Sequence, residues 1–188
     1  MSGGVAGSVA VEIVGLLVSP VHAYEGRPQD GPRPDAEPAI RTEVTVRAGL
    51  GLVGDRYFGQ RAHRNAAVTV FDAAALDELA ETLVGAGTPL DRPLNPFLTR
   101  RNIILRGFPV DDLAARRPDP GAVFALDSGA GPVRFQANRP ANPCAWMDVM
   151  LAPGAFRGLR GRGGVRCTPL DDGVLQLGPA TLTVAPPD

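Results

Sequence analysis

Lysine is absent from this chain, and all 19 of its basic residues are arginine. Without a lysine amine no Schiff base forms, which excludes covalent pyridoxal phosphate chemistry. A P-loop also needs its lysine, so Walker-type nucleotide binding is excluded as well. Histidine is nearly absent: His22 and His63 are the only two. With no CxxC or HExxH pattern, a histidine-rich zinc site lacks its ligands. Either histidine could assist proton transfer, although a loop histidine is more often a hydrogen-bonded surface residue. GxSxG is missing, so serine hydrolase chemistry has no nucleophile elbow. Two cysteines, Cys144 and Cys167, are too few for a disulfide framework, and they fall in different expected elements. A charge excess is missing too. The net charge of −1 argues against a general nucleic-acid or membrane-surface binder. The apolar stretch Val9 to Val18 is interrupted by Glu12, follows no basic segment and is too short to span a bilayer. These absences lead to the expectation of a cytoplasmic protein with reduced thiols and no membrane or nucleic-acid partner.

What remains is enough for a core. At 188 residues and 44% hydrophobic, the chain suits one packed domain. Residues 1–8 are small and glycine-rich and read as a flexible tail, leaving a single domain over residues 9–186. Val9 to Val18 reads as a strand from its β-branched residues. Thr42 to Ala48 alternates, with Val44 and Val46 on one face. Ala66 to Phe71, Ile103 to Leu105, Ala122 to Leu126, Val133 to Ala137, Val165 to Cys167, Val174 to Leu177 and Thr181 to Val184 complete about nine short strands. Asp72 to Val84 is the clearest helix, with Asp72 as N-cap and Leu76, Leu79, Ala80 and Leu83 as its apolar stripe. Short helical turns are expected over Val110 to Ala115 and Pro153 to Leu159. Glu25 to Pro38 is dense in Pro, Gly and Asp and reads as a long surface loop. The expected class is a β-dominated α+β domain, a closed or nearly closed barrel with a few short helices.

The chemistry concentrates at Arg139 to Asp148, which holds Cys144 and the only tryptophan, Trp146. Asn142 reads as an N-cap, Pro143 as the first helical residue and Cys144 as the second. A thiol there sits at the positive helix end, which favours the thiolate. The alternative is a buried structural thiol. Gly49-Leu50-Gly51-Leu52-Val53-Gly54 formally matches GxGxxG, but no helix opens after it, so a dinucleotide site is rejected. A tight turn presenting Asp55 and Arg56 is expected instead, either for a ligand or as a salt bridge across the turn. Arg100-Arg101-Asn102 before a buried strand suits an anion, or else a solvated basic rim. Arg160-Gly161-Arg162-Gly163-Gly164 reads as a flexible basic loop able to close over an anionic ligand. One reactive cysteine with several arginine-bearing loops suits an anionic, sulfur-rich cofactor, in which a thiolate completes a molybdenum coordination sphere and arginine holds a phosphate.

These residues resemble a MOSC domain, the module named for the C-terminal part of molybdenum cofactor sulfurases. The matching pieces are Gly49 to Arg56, Arg101 to Gly107, the Cys144 segment and Arg160 to Val165, in the family's order, with the likeness spanning Val9 to Pro186. The opening Ile13 to Pro20 is most similar to the stand-alone bacterial branch. The resemblance implies a MOSC-type β-barrel and a functional Cys144 that carries a persulfide or ligates molybdenum. It implies that Asp55, Arg56, Arg101, Asn102, Arg160 and Arg162 contribute to molybdenum cofactor binding. The pyridoxal phosphate domain of full-length sulfurases is not in this sequence, nor is the extra N-terminal β-barrel domain of the related N-hydroxyl reductases.

Three functions follow. The first is a molybdenum-cofactor-binding oxidoreductase acting on N-hydroxylated compounds, with electrons from a redox partner because no flavin, nicotinamide or iron–sulfur motif is visible. The second is a sulfur carrier with a Cys144 persulfide and a sulfur-donor partner. The third is a non-catalytic cofactor-binding module that keeps the barrel without the chemistry.

Overall fold

The computed structural model describes residues 7–186. Its central feature is a ring of seven strands. β1 (Gly7–Leu17) pairs with β11 (Gly178–Val184), which pairs in turn with β7 (Val123–Asp127). From there the order runs through β8 (Val133–Pro140), β9 (Val165–Pro169), β5 (Val68–Asp72) and β6 (Ile103–Arg106), and β6 returns to β1. The second edge of β1 closes the ring, so each of the seven strands is paired on both sides. β2 (Ile40–Arg41) is a short addition beside the end of β1. A separate three-stranded sheet joins β3 (Glu43–Arg47) to β4 (Gly51–Leu52) and β10 (Gly173–Gln176). The expected β-dominated barrel is therefore what forms.

The side-chain pattern explains the ring. In β5 and β6, Val68, Val70, Ile103 and Leu105 enter the barrel interior, while Phe71 and Ile104 point outward into a second apolar cluster. Both faces of these strands are thus buried, which is why their sequences run apolar without alternation. They are also the parallel pair of the ring. A parallel pair needs a crossover, and α1 (Ala74–Gly85) supplies it. The buried stripe of α1, Leu76, Leu79 and Leu83, covers Phe71 and Ile104 together with Trp146 and Leu159. Asp72 accepts the Ala74 N–H at 3.0 Å and so helps start α1, one residue outside the N-cap position, which Ala73 occupies.

Several local expectations change. Gly7 and Ser8 are part of β1 rather than of a tail, because β11 pairs with them opposite Val184 and Thr183. The remainder of the expected tail, residues 1–6, lies outside the described residues. Residues 61–66 form a 3-10 helix, so β5 begins at Val68. The glycine run does more than turn: Gly51 and Leu52 pair with Arg47 and Val46 as β4. The loop Arg160 to Gly164 is tied down rather than free. The Gly164 N–H donates to Asp111 at 2.8 Å, and its carbonyl accepts from the Ala141 N–H at 2.7 Å. No helix among the described residues is long and apolar enough to cross a membrane.

Gly164 shows why that loop is glycine-rich. Its φ is +88°, and a Cβ there would lie 2.3 Å from the Val70 carbonyl oxygen. Gly164→Ala is expected to cost roughly 2–3 kcal/mol from left-handed backbone strain and backbone overlap. Urea denaturation measures this directly, and an unchanged midpoint would show that the loop does not need its glycine.

Candidate functional site

A cavity of ≈ 150 Å³ opens where the end of β1, the residues before β6 and the Cys144 segment converge. Cys144 and four arginines, Arg56, Arg100, Arg101 and Arg166, contribute to its walls. The cysteine is exposed, so the buried structural reading fits Cys167 instead, which lies inside the barrel with its thiol pushed up by burial. Both cysteines are free. Cys144 is not the second residue of a helix. α2 runs Trp146–Met150 with Ala145 as N-cap, and Asn142 supplies no cap. Cys144 precedes the helix, with its carbonyl accepting the Met147 N–H at 2.9 Å. A five-residue helix has little dipole to lend, so what distinguishes this thiol is its setting among guanidinium groups.

Arg101 holds the cysteine segment in place. Its Nε donates to the Gly163 carbonyl at 3.0 Å, and one Nη donates to the carbonyls of Ala141 at 2.6 Å and Asn142 at 3.3 Å. One guanidinium thereby clamps the 160s loop to the strand end that leads into Cys144. It does so without a carboxylate partner. Burial, helped by the like charge of Arg166, brings its pKa down to about 10. It stays protonated at neutral pH.

Asp55 and Asn102 sit beneath this layer. Asn102 Oδ1 accepts from the Thr69 N–H at 3.0 Å and from the Thr69 hydroxyl at 2.8 Å. Its Nδ2 donates to the Leu17 carbonyl at 3.1 Å and to Asp55 at 3.0 Å. All four side-chain hydrogen-bond positions are spent on protein, so Asn102 positions the site rather than contacting a ligand. Asp55 is buried and accepts from the backbone N–H groups of Ser19 at 3.4 Å and Tyr57 at 3.1 Å. It also faces Arg56 at 3.9 Å, so the expected ion pair across the turn is present. Arg56 in turn lies over the Tyr57 ring, 4.5 Å from its centroid. Its Nε and Nη1 are buried without a hydrogen-bond partner. Leaving charged donors unsatisfied costs about 1–3 kcal/mol each, which an incoming acceptor would recover.

The remaining expected residues divide. Arg160 lies over Phe156, and Arg162 pairs with Glu78 and donates to the Gly158 carbonyl at 3.0 Å. Neither forms part of the cavity wall, because the tethered 160s loop directs both toward α1 and α3 (Ala155–Gly158). Arg166 takes their place from β9. It was missed because a single arginine in a short alternating strand carries no motif. Burial lowers its pKa, and Arg139 adds to the effect. His22 also contributes to the wall, and burial, helped by Arg56, lowers its pKa, leaving it neutral at pH 7. His63 packs against Tyr57 at 4.3 Å between ring centroids and stays outside the cavity. Tyr24 stacks on buried Trp146 at 5.0 Å and donates to the Leu98 carbonyl, with burial raising its pKa to about 12. Arg100 is the one cavity arginine in a bidentate pair, with Asp35 of the proline-rich loop at 2.7 and 2.8 Å. That loop therefore shapes the site.

Chemically, the arrangement places a thiol at the mouth of an anion-attracting cavity. Arg56, Arg101 and Arg166 line it, with Asp55 as the counter-charge 3.9 Å from Arg56. No cluster of three or more His, Cys, Asp or Glu that could hold a metal occurs among the described residues.

Asn102→Ala is expected to destabilise the fold by about 2–4 kcal/mol, since it strands the Leu17 carbonyl and the Thr69 N–H away from water. A smaller shift in chemical denaturation, under about 0.5 kcal/mol, would mean that water replaces the amide. Arg101→Met should release the cysteine segment locally. Hydrogen exchange over residues 141–146 should rise at least tenfold with the barrel strands unchanged, and equal protection in both proteins would remove the clamp.

No family model matches the chain, and no curated protein matches it. Its fold does recur in solved structures. The crystal structure of YuaD from Bacillus subtilis superposes with a TM-score of 0.65 at 15% identity, covering 97% of this chain and 100% of that one. YiiM from Geobacillus stearothermophilus gives a TM-score of 0.57 at 17% identity, over 94% of this chain and 75% of that one. At these identities the likeness is one of fold.

Proposed function

We propose that the chain is a MOSC-type protein that binds the molybdenum cofactor and uses Cys144 as the sulfur ligand to the metal. The observation that carries this reading is a free, exposed thiol beside a cavity bearing unpartnered buried guanidinium nitrogens. The residues fit such a group on chemical grounds. A phosphate-bearing pterin needs acceptor-hungry arginines, and a soft metal needs a thiolate. The shared fold of YuaD and YiiM agrees with the resemblance drawn from the sequence.

In this reading Arg56, Arg101 and Arg166 hold the anionic part, while Asp55 and Asn102 fix Arg56 and the start of β6 from below. When bound, the cofactor supplies two-electron redox chemistry, here assigned to the reduction of N-hydroxylated compounds. Cys144 must lose its thiol proton to become a ligand, and its exposed position lets water take it. His22 stays neutral at pH 7 and so offers a proton acceptor in the same wall. Reducing equivalents would come from a protein partner.

The exposure of Cys144 also favours a second reading, sulfur transfer. There the Cys144 thiolate attacks the outer sulfur of a donor's persulfide. An S–S bond forms on Cys144, and the donor departs as its thiolate.

The test is molybdenum content by elemental mass spectrometry, for wild type and Cys144→Ala made in a host with verified cofactor supply. Near-stoichiometric metal in wild type, falling at least fivefold in the variant, is expected. No metal in either would overturn the ligand assignment. One added sulfur on wild type after incubation with a cysteine desulfurase, absent from the variant, would then select the carrier.

A further inference from the structure

A larger groove of ≈ 430 Å³ adjoins the Cys144 cavity, and Ala23, Tyr24 and Arg100 line both. Its walls differ in kind from those of the cavity. Leu17, Pro34, Ile40, Phe97, Leu98 and Met150 make it mainly apolar. Two of its sides have fixed shape. The proline-rich loop is pinned where Asp35 takes both Nη groups of Arg100, at 2.7 and 2.8 Å, and the Ser19 hydroxyl. The turn Pro96–Thr99 is capped by the Asn95 side chain, which accepts the Phe97 N–H at 3.0 Å. Phe97 is seated on β1 at Gly15, where an added Cβ would lie 2.8 Å from its ring. The groove is therefore preformed.

Its charges are already matched. Arg33 pairs with Glu25, and Arg100 pairs with Asp35. A charged ligand would find no free counter-charge along these walls. Among the described residues of these walls, one buried side-chain polar group has no partner, Arg100 Nε. Arg100 also holds a left-handed backbone at φ 58°, the one non-glycine residue among those described to do so. That conformation ends the Pro96–Thr99 turn, where the Arg100 N–H donates to the Phe97 carbonyl at 3.1 Å, and it fixes the direction in which the Arg100 side chain leaves the turn.

We propose that this groove is a binding site for a neutral, mainly apolar organic molecule about the size of two fused rings, whose single hydrogen-bond acceptor takes the Arg100 Nε–H. Small-molecule sites combine this kind of apolar lining with a few placed polar groups. That the molecule is the substrate, with its reactive end toward Cys144, rests on the reading of Cys144 given above.

The probe is prodan, a neutral naphthalene with one ketone acceptor and environment-sensitive emission. Wild type should bind it with a blue shift and saturation. Met150→Asp and the surface variant Ile40→Asp should each weaken binding at least tenfold, with circular dichroism unchanged. Cys144→Ala should bind as wild type does. Saturating prodan should slow alkylation of Cys144 by iodoacetamide at least threefold. Failure of wild type to bind, or equal binding by both groove variants, would overturn the site. Binding without any effect on alkylation would overturn its link to Cys144. None of these readouts depends on molybdenum, so failure of the cofactor reading leaves them intact.

Discussion

Asn102 holds together the pieces from which the site is assembled. Its four side-chain hydrogen bonds reach β1 through Leu17, β5 through Thr69 and the turn after β4 through Asp55. Its backbone carbonyl takes the Leu17 N–H at 2.8 Å as well. Each of these polar groups is away from water, so each must be paired within the protein. Because one amide meets the needs of three segments, their relative positions are fixed before any ligand arrives. The orientation of Arg56 follows from Asp55, and Arg101, the neighbour of Asn102 in sequence, is placed to clamp the cysteine segment.

Above that hydrogen-bonded layer lies a positively charged one. The barrel has brought together Arg56, Arg101 and Arg166; burial lowers the pKa of Arg101 and of Arg166, and the charge of Arg56 adds to both effects. Stability alone would not favour this. Buried positive charges without partners cost free energy that hydrophobic packing would not. On the function proposed above, the arrangement is preorganisation, in which the fold bears the cost so that an anion would meet its donors already in place. Ala23, Tyr24 and Arg100 lie between this charged cavity and the apolar groove, and the Arg100–Asp35 pair ties that boundary to the proline-rich loop.

Much of the fold was legible in the sequence because burial patterns are local. Alternation over Thr42 to Ala48 and the doubly buried run at Ile103 to Leu105 identify strands on their own. The likeness of the ordered motifs to a MOSC domain pointed to a barrel, and a seven-strand ring is what forms. Within the site, Cys144, Arg56 and Arg101 do converge on one cavity. Where the reading erred, tertiary bonds were the cause. Arg160 and Arg162 lie beside the right segment but are turned away, since the carbonyls of Gly163 and Gly164 are engaged by Arg101 and Ala141. The helix expected to start at Asn142 starts later, because the Ala141 and Asn142 carbonyls are held by Arg101 in a non-helical stretch.

By itself, the sequence determined which chemistries were open. The absence of lysine, the scarcity of histidine and the two lone cysteines are compositional facts that no fold can change. It also determined nine of the strands, since a longer strand is encoded in the spacing of its own side chains, whereas the two-residue β2 and β4 exist only through their partners. Tertiary structure alone decided which of the 19 arginines share a cavity, which cysteine is exposed and which is sealed in the barrel, and whether Asn102 serves a ligand or the protein. These are questions of distance between residues remote in the chain. Arg56 and Arg166 lie on different segments, and only closure of the ring brings them to one cavity.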